Sequence, residues 1–381
     1  MHQYTADLAN RAAAFGHDVH LVSTVRMPAG RYAPQVAVHT PVDTHSTGFS
    51  PDDLRLMKVR GLSSGICALE PDVVHFTGPH LWNVPLVRSL VRAGLPVVHT
   101  LHDLDPHGGA AYGSLLYAWN ALILRSGAQI LVHSRGYRER LIAQGLPPAR
   151  VSATPLLHLF VGYETRAQLR GLELQAADGV SAEMHLSDTR PWALFFGRLE
   201  RYKGLGDLLQ AYSLLAAVRS ASRLVVAGPG SLNDLWSGPL PAGVDLRDHL
   251  IGDEESIDLF THCGLVVLPY RDATQSALVA AAYYFRKPVL VTAVGALPEY
   301  VEDGLTGRVV APGKPAELAR CLAEMLSDPA RLAAMGEAGR AWYDRQRVEE
   351  THLLFDLYQN CGIVKVSCQH ESRTVSGLPH P

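Results

Sequence analysis

The sequence predicts an α/β protein with two parallel-sheet domains, and three observations carry that prediction. At 381 residues the chain is long enough for two domains that each bury a core. In its first half, short β-branched runs alternate with helix-period segments, the pattern of parallel strands joined by crossover helices. The same alternation resumes at residue 192, after a stretch of weak periodicity. Hydrophobic residues make up 47% and charged residues 19%, with a formal net charge of −3, an ordinary globular balance that points away from nucleic acid. The five cysteines (Cys67, Cys263, Cys321, Cys361, Cys368) are scattered, odd in number and without metal-ligand spacing, which fits a reducing cytosol better than a disulfide framework. No run of about eighteen apolar residues and no charged-then-apolar leader suggests a spanning helix or signal peptide.

In chain order, Tyr4, Leu8, Ala12 and Phe15 share one helical face, and a strand follows Gly16 at 19–22. A strand at 36–42 and a helix at 54–69 come next. Residues 71–76 read as a buried strand ending in Thr77-Gly78-Pro79, then 83–93 as a helix and 96–101 as a strand. A helix at 112–126, a strand at 129–133 and a helix at 138–144, stopped by Gly145, complete the first half. Ligands on open α/β sheets gather at the carboxyl ends of strands, so His75, His102, Asp103, His107 and His133 are expected near a cleft edge.

Residues 166–190 read as the connection between the domains 1–165 and 191–345. The second domain runs strand 192–196, helix 205–218, strand 223–227, the turn Gly228-Pro229-Gly230, a helix near Leu232 and a short strand at 244–246. A polar loop at 251–255, helix 256–262, strand 266–270, helix 277–285 and strand 289–292 follow. Helices are expected at 316–326, 329–343 and 346–361, and residues 362–381 lack a periodic face and are expected to be disordered.

Two segments carry chemistry. In Phe195-Phe196-Gly197-Arg198-Leu199-Glu200-Arg201-Tyr202-Lys203-Gly204 a strand ends in a turn holding a glycine and cations, just before a helix; that is a phosphate site in outline, although a solvated basic turn looks the same. From Val266 to Pro312, strand, polar turn, Ala-rich helix, Lys287-Pro288, β-branched strand, Gly295, Leu297-Pro298-Glu299 and Asp303-Gly304-Leu305-Thr306-Gly307 stand in sequence. The turn before the Ala-rich helix offers free N–H groups to an anion.

These motifs, G-R-x-x-x-x-K-G, K-P-V-L-V-T, V-G-A-L-P-E and D-G-L-T-G, resemble the retaining glycosyltransferases of family four in order and spacing, over roughly the C-terminal half. The resemblance implies the GT-B fold, two Rossmann-like parallel-sheet domains facing a cleft, with the helix at 346–361 crossing back to the first domain. It implies that Arg198 and Lys203, with Gly197, hold the diphosphate of a nucleotide-sugar donor. Ser276, Ala277 and Leu278 then contribute N–H groups near the distal phosphate or sugar, and Thr274, Gln275 and Glu299 line the sugar side, Glu299 also capping its own helix start. The H-D-x-x-P-H-G run resembles a loop facing donor and acceptor, which casts His102, Asp103 and His107 as reaction-centre candidates, His107 foremost. No carboxylate pair sits where a metal-dependent transferase would need one, so neither a metal nor another cofactor is expected. The implied partners are a nucleotide-sugar donor and a glycan or lipid-linked acceptor, in the cytoplasm and open to peripheral contact with the inner membrane face.

Two departures qualify the resemblance. Family members carry two glutamates eight residues apart on the donor helix; here those positions are Thr274 and Ala282. The chain also opens directly in a helix, where GT-B proteins open with a strand and a Gly-rich turn, so the first strand of the sheet is expected to be missing; a start lying upstream is favoured over a damaged domain. A non-catalytic nucleotide-sugar-binding subunit is therefore a competing reading. A nucleotide-sugar epimerase is a third, but it would need converging carboxylates that the C-terminal turn lacks.

Overall fold

The computed structural model describes residues 2–24, 30–42, 57–105, 113–163, 165–166, 168–169, 191–217 and 223–362. The first half comprises α1 (His2–Ala14), β1 (Val19–Thr24), β2 (Val36–Val42), α2 (Met57–Ala68), β3 (Val74–Phe76), α3 (Asn83–Arg92), β4 (Val97–Thr100), α4 (Gly113–Leu124), β5 (Gln129–Val132), α5 (Arg135–Ala143) and β6 (Val151–Ala153). Its strands form two parallel sheets, β1-β2 and β3-β4-β5-β6. Among the described residues no ladder joins β1 to β3, so the sheet is interrupted between them.

The second half comprises β7 (Ala193–Phe196), α6 (Leu205–Ala217), β8 (Leu224–Ala227), β9 (Val244–Arg247), α7 (Asp253–His262), β10 (Leu265–Leu268), α8 (Ala277–Tyr284), β11 (Val289–Thr292), α9 (Leu297–Tyr300), β12 (Gly307–Val310), α10 (Pro315–Leu326) and α11 (Pro329–Gly362). Six parallel strands lie in the order β12-β11-β10-β7-β8-β9. The order turns back between β7 and β10, and the carboxyl ends of such a pair frame a crevice. Strands β8, β10 and β11 are buried at every position, which is why they read as unbroken apolar runs with no alternation.

The structure differs from the sequence reading at several elements. Strands β6 and β12 were not anticipated; β6 spans three residues and begins just after Pro147 and Pro148, too short for a periodic signal. Helix α5 starts at Arg135, three residues ahead of the expected start, because Ser134 adopts an extended conformation and caps it, its hydroxyl accepting from Tyr137 N at 3.1 Å. Helix α7 absorbs Asp253, Glu254 and Glu255, acidic residues that suit a first turn and had read as loop. Residues near Leu232 form turns and no helix, and Phe15 lies past the end of α1, 52% exposed. The two helices expected at 329–343 and 346–361 are one 34-residue helix, since Asp344, Arg345 and Gln346 include no glycine or proline to break it. Most of 166–190 and all of 363–381 lie outside the described residues.

Helix α11 ties the halves together. Asp7 of α1 is buried among three guanidiniums: Arg347 Nη1 donates to it at 2.8 Å, Arg166 also donates to it, and Arg11 lies 4.0 Å away. Burial alone would raise the Asp7 pKa, but Arg166, Arg347 and Arg11 outweigh it and hold the carboxyl well below its usual range. Arg11 also donates to Glu350 at 2.7 Å, and the Tyr358 hydroxyl shares a 2.6 Å hydrogen bond with His75 Nδ1. Among the described residues no helix is long and apolar enough to cross a membrane.

Candidate active site

At the switch point, β7 delivers Gly197 and β10 delivers Tyr270 to the same crevice. After β7 the chain makes a 3-10 turn, Arg201–Lys203, closed by Gly204 at φ +68°, and enters α6. That left-handed conformation suits glycine, and a β-carbon at Gly204 would overlap the Pro269 carbonyl oxygen, so the turn sits directly on the end of β10. A second tie fixes the two loops to each other. Arg271 N donates to Tyr202 O at 2.7 Å, and the Arg271 guanidinium forks onto Asp207, in the first turn of α6, at 2.7 and 2.6 Å.

A cavity of about 380 Å³ opens between the halves. The second half contributes Gly197, Tyr202, Lys203, Tyr270 and residues 273–278 to its wall, and the first half contributes Gln3, Asp103, Leu156, His158 and Phe160. Lys203 Nζ stands 5.8 Å from the centre of the Tyr270 ring, and no carboxylate lies within ion-pairing distance of it among the described residues. Burial, with a smaller push from Arg198 and an opposing pull from Glu200, lowers its pKa to about 8. It is an ammonium with no ion-pair partner among the described residues, on the cavity wall and suited to an anion.

On the same wall, Ser276 caps α8, its hydroxyl accepting from Leu278 N at 3.3 Å. Ser276, Ala277 and Leu278 all border the cavity, although the Leu278 amide is already engaged by this cap. Thr274 is 4% exposed and donates to Asp105 O at 3.1 Å, a contact between the halves. Gln275 borders the cavity with a buried Oε1 that has no hydrogen-bond partner. Ala282 is fully buried in the core.

Several expected site residues lie elsewhere. Arg198 is off the cavity wall; its side chain is 69% exposed and pairs with Glu200 at 3.4 Å. Its neighbour Leu199 takes the inward side of this extended stretch, which turns Arg198 outward. His102 is buried away from the wall, its Nε2 2.9 Å from Thr77 O and its ring 4.8 Å from Tyr4; burial, then His133, lowers its pKa. His107 lies outside the described residues. Asp103 borders the cavity as expected.

Glu299 caps a helix of the other half and not its own. Its carboxylate accepts from Ser134 Oγ at 2.6 Å, Arg135 N at 2.7 Å and Gly136 N at 3.1 Å, the first turn of α5. Beside it, the Tyr300 hydroxyl donates to His133 O and accepts from Leu156 N at 3.1 Å.

The sequence reading missed His158, Gln3 and Phe160. His158 sits beyond the carboxyl end of β6, the position where ligand-facing residues were sought, but that strand had not been recognised. Its Nδ1 is buried without a partner, and burial lowers its pKa to about 3, so the ring is neutral. Gln3 is visible only once α1 is placed, with its Nε2 donating to Phe160 O at 2.7 Å. Among the described residues no three of His, Cys, Asp or Glu converge in a way that could hold a metal ion.

Comparison with known proteins agrees with this architecture. A family model described as "Glycosyl transferase 4-like domain" matches residues 1–156, and one described as "Glycosyl transferases group 1" matches residues 190–328. The chain is similar to a D-inositol 3-phosphate glycosyltransferase of Mycolicibacterium vanbaalenii, 24% identical over 367 residues, covering 87% of this chain and 78% of that one. Among solved structures it resembles sucrose-phosphate synthase from Thermosynechococcus elongatus, with a TM-score of 0.66, 18% identity and coverage of 94% and 93%. It also resembles Anabaena HepE in complex with UDP-glucose, with a TM-score of 0.60, 17% identity and coverage of 91% and 98%. With one family domain matched to each half and the switch-point crevice lying between them, the chain belongs to the family-four glycosyltransferases of GT-B fold.

Proposed function

We propose that the protein is a retaining glycosyltransferase that moves a sugar from a nucleotide-sugar to a surface-polysaccharide or glycolipid acceptor. The observation that carries this reading is Lys203, a cation without an ion-pair partner among the described residues, lining the same cavity as the start of α8. As the bond from the sugar's anomeric carbon to the diphosphate oxygen breaks, negative charge grows on the leaving group. A fixed ammonium and helix N–H groups in a half-enclosed site stabilise that charge without a metal. The acceptor oxygen bonds to the anomeric carbon, and its proton leaves with the departing diphosphate.

Similarity to the inositol phosphate transferase and to a protein solved with UDP-glucose supports a nucleotide-sugar donor and a hydroxylated acceptor. The outward face of α4, where Leu115, Tyr117 and Leu122 are 43%, 50% and 39% exposed, supports a lipid-linked acceptor at the inner face of the membrane. A second reading, a subunit that binds the donor without turnover, is favoured by one observation: where the family's glutamates stand, Thr274 is tied to Asp105 and Ala282 is in the core.

The test is thermal stabilisation by UDP, GDP and ADP, followed by donor turnover with EDTA present. One nucleotide should raise Tm, by about 2.7 kcal/mol of stability at a hundredfold excess over Kd. Turnover should survive EDTA and keep the donor's anomeric configuration. Binding without turnover establishes the second reading, and the absence of binding by all three removes both.

A further inference from the structure

Glu299 belongs to the second half of the chain, and all three donors to its carboxylate belong to the first. The α5 amides it accepts from are those a helix leaves without internal partners, and Ser134 bonds Glu299 while also capping α5 through Tyr137 N. Tyr300, the next residue, is 1% exposed and bridges His133 O and Leu156 N, again across the halves. The four-residue helix α9 is therefore seated on the carboxyl edge of β5 and β6.

The same helix is joined to the cavity wall. Ala296 N donates to Thr274 O at 2.9 Å, and Gly295 packs so closely on Ala273 and Thr274 that a β-carbon there would overlap the Ala273 carbonyl oxygen. Thr274 is in turn bonded to Asp105 O. The loop 273–276, which forms much of the donor side of the cavity, thus rests on a helix whose far end is held by α5.

We infer that Glu299 is a positioning residue: its carboxylate, set on the N-terminus of α5, holds the two halves together over the cavity and keeps loop 273–276 in place. Glu299 is exposed and fills no core space, so its replacement leaves the packing intact. The inference concerns the cavity of the transfer reading, but its primary test needs no turnover.

Hydrogen exchange of the full chain tests it. In Glu299→Ala, amides at 134–137 should exchange roughly tenfold faster, the range of a charge released from a helix N-terminus, and amides at 273–277 and 295–297 should accelerate with them, while 224–227 in β8 stay unchanged. Ser134→Ala also removes the cap on Tyr137 N and should add to the effect at 134–137, but the double variant should add little at 273–277 and 295–297 beyond Glu299→Ala, because Ser134 reaches that loop through Glu299. In parallel, UDP should bind Glu299→Ala about tenfold more weakly by calorimetry. Acceleration confined to 134–137, or full additivity of the two variants at 273–277, overturns the inference. Failure of UDP to bind the unmodified chain counts against the nucleotide reading and leaves the exchange result to decide on Glu299.

Discussion

The ammonium of Lys203 lies 5.8 Å from the centre of the Tyr270 ring, so a cation from the turn after β7 and an aromatic from the end of β10 meet at the point where the strand order turns back. Tyr270 is 3% exposed, and burial raises its phenol pKa, so it stays neutral and offers the cation its ring face. If this ammonium serves a leaving diphosphate, Lys203→Met should lower kcat by about 10²–10³, the scale for losing one preorganised donor, with little change in Tm.

The lowered Lys203 pKa adds a pH signature. The side chain is charged below about 8 and neutral above it, so UDP affinity measured by calorimetry should weaken as pH rises through about 8. Lys203→Met should bind weakly throughout and show no such inflection. A flat wild-type profile between pH 7 and 9 would separate Lys203 from anion binding.

Gly204→Ala tests the turn beneath that lysine. The substitution combines a φ of +68° with overlap on a backbone carbonyl that cannot swing aside. The expected loss is about 3 kcal/mol or more, seen as a fall in Tm of roughly 6–12 °C. An unchanged Tm would mean that the turn and the end of β10 are not in contact in solution.

Asp7→Asn tests the tie between α1 and α11. Removing the carboxylate leaves Arg166 and Arg347 buried beside each other without their shared partner, which is expected to cost about 3–5 kcal/mol in denaturant unfolding. A loss below about 1 kcal/mol would show that water relieves those guanidiniums.

Acid should destabilise the first half. His99 and His133 are 0% and 1% exposed, and burial lowers the pKa of each to about 3 from an ordinary 6.5. Between those values the unfolded chain binds protons that the folded chain refuses. The stability they confer is complete above pH 6.5 and is lost as pH falls towards 3, by up to about 1.4 kcal/mol per pH unit for each. Unfolding midpoints from pH 7 to 4 should fall accordingly, and the slope should lessen in His99→Asn.

Most of the fold was legible in the sequence because its central strands are short apolar blocks bounded by glycine, proline and polar turns. Residues 36–42 and 289–292 are strands with the bounds expected of them. The positions of Lys203 and Gly197 on the cavity wall were likewise readable, since a glycine turn follows β7, and that of the start of α8, since a polar turn follows β10. What stayed hidden was set by tertiary contact. Nothing local distinguishes Arg198 from Lys203, and only the inward packing of Leu199 sends one out to solvent. The partner of Glu299 lies more than 160 residues away, and spacing along the chain carries no trace of such a contact.

Phe160 leads out of the first half, yet its ring lies 5.4 Å from Phe196, 4.9 Å from Phe260 and 6.4 Å from Phe285, all in the second. Ring contacts of this kind bury large apolar area and depend on close packing of the ring faces and edges. Phe160 and Phe196 also line the cavity, so a change of volume at either ring is felt both by the joint between the halves and by the space beside it.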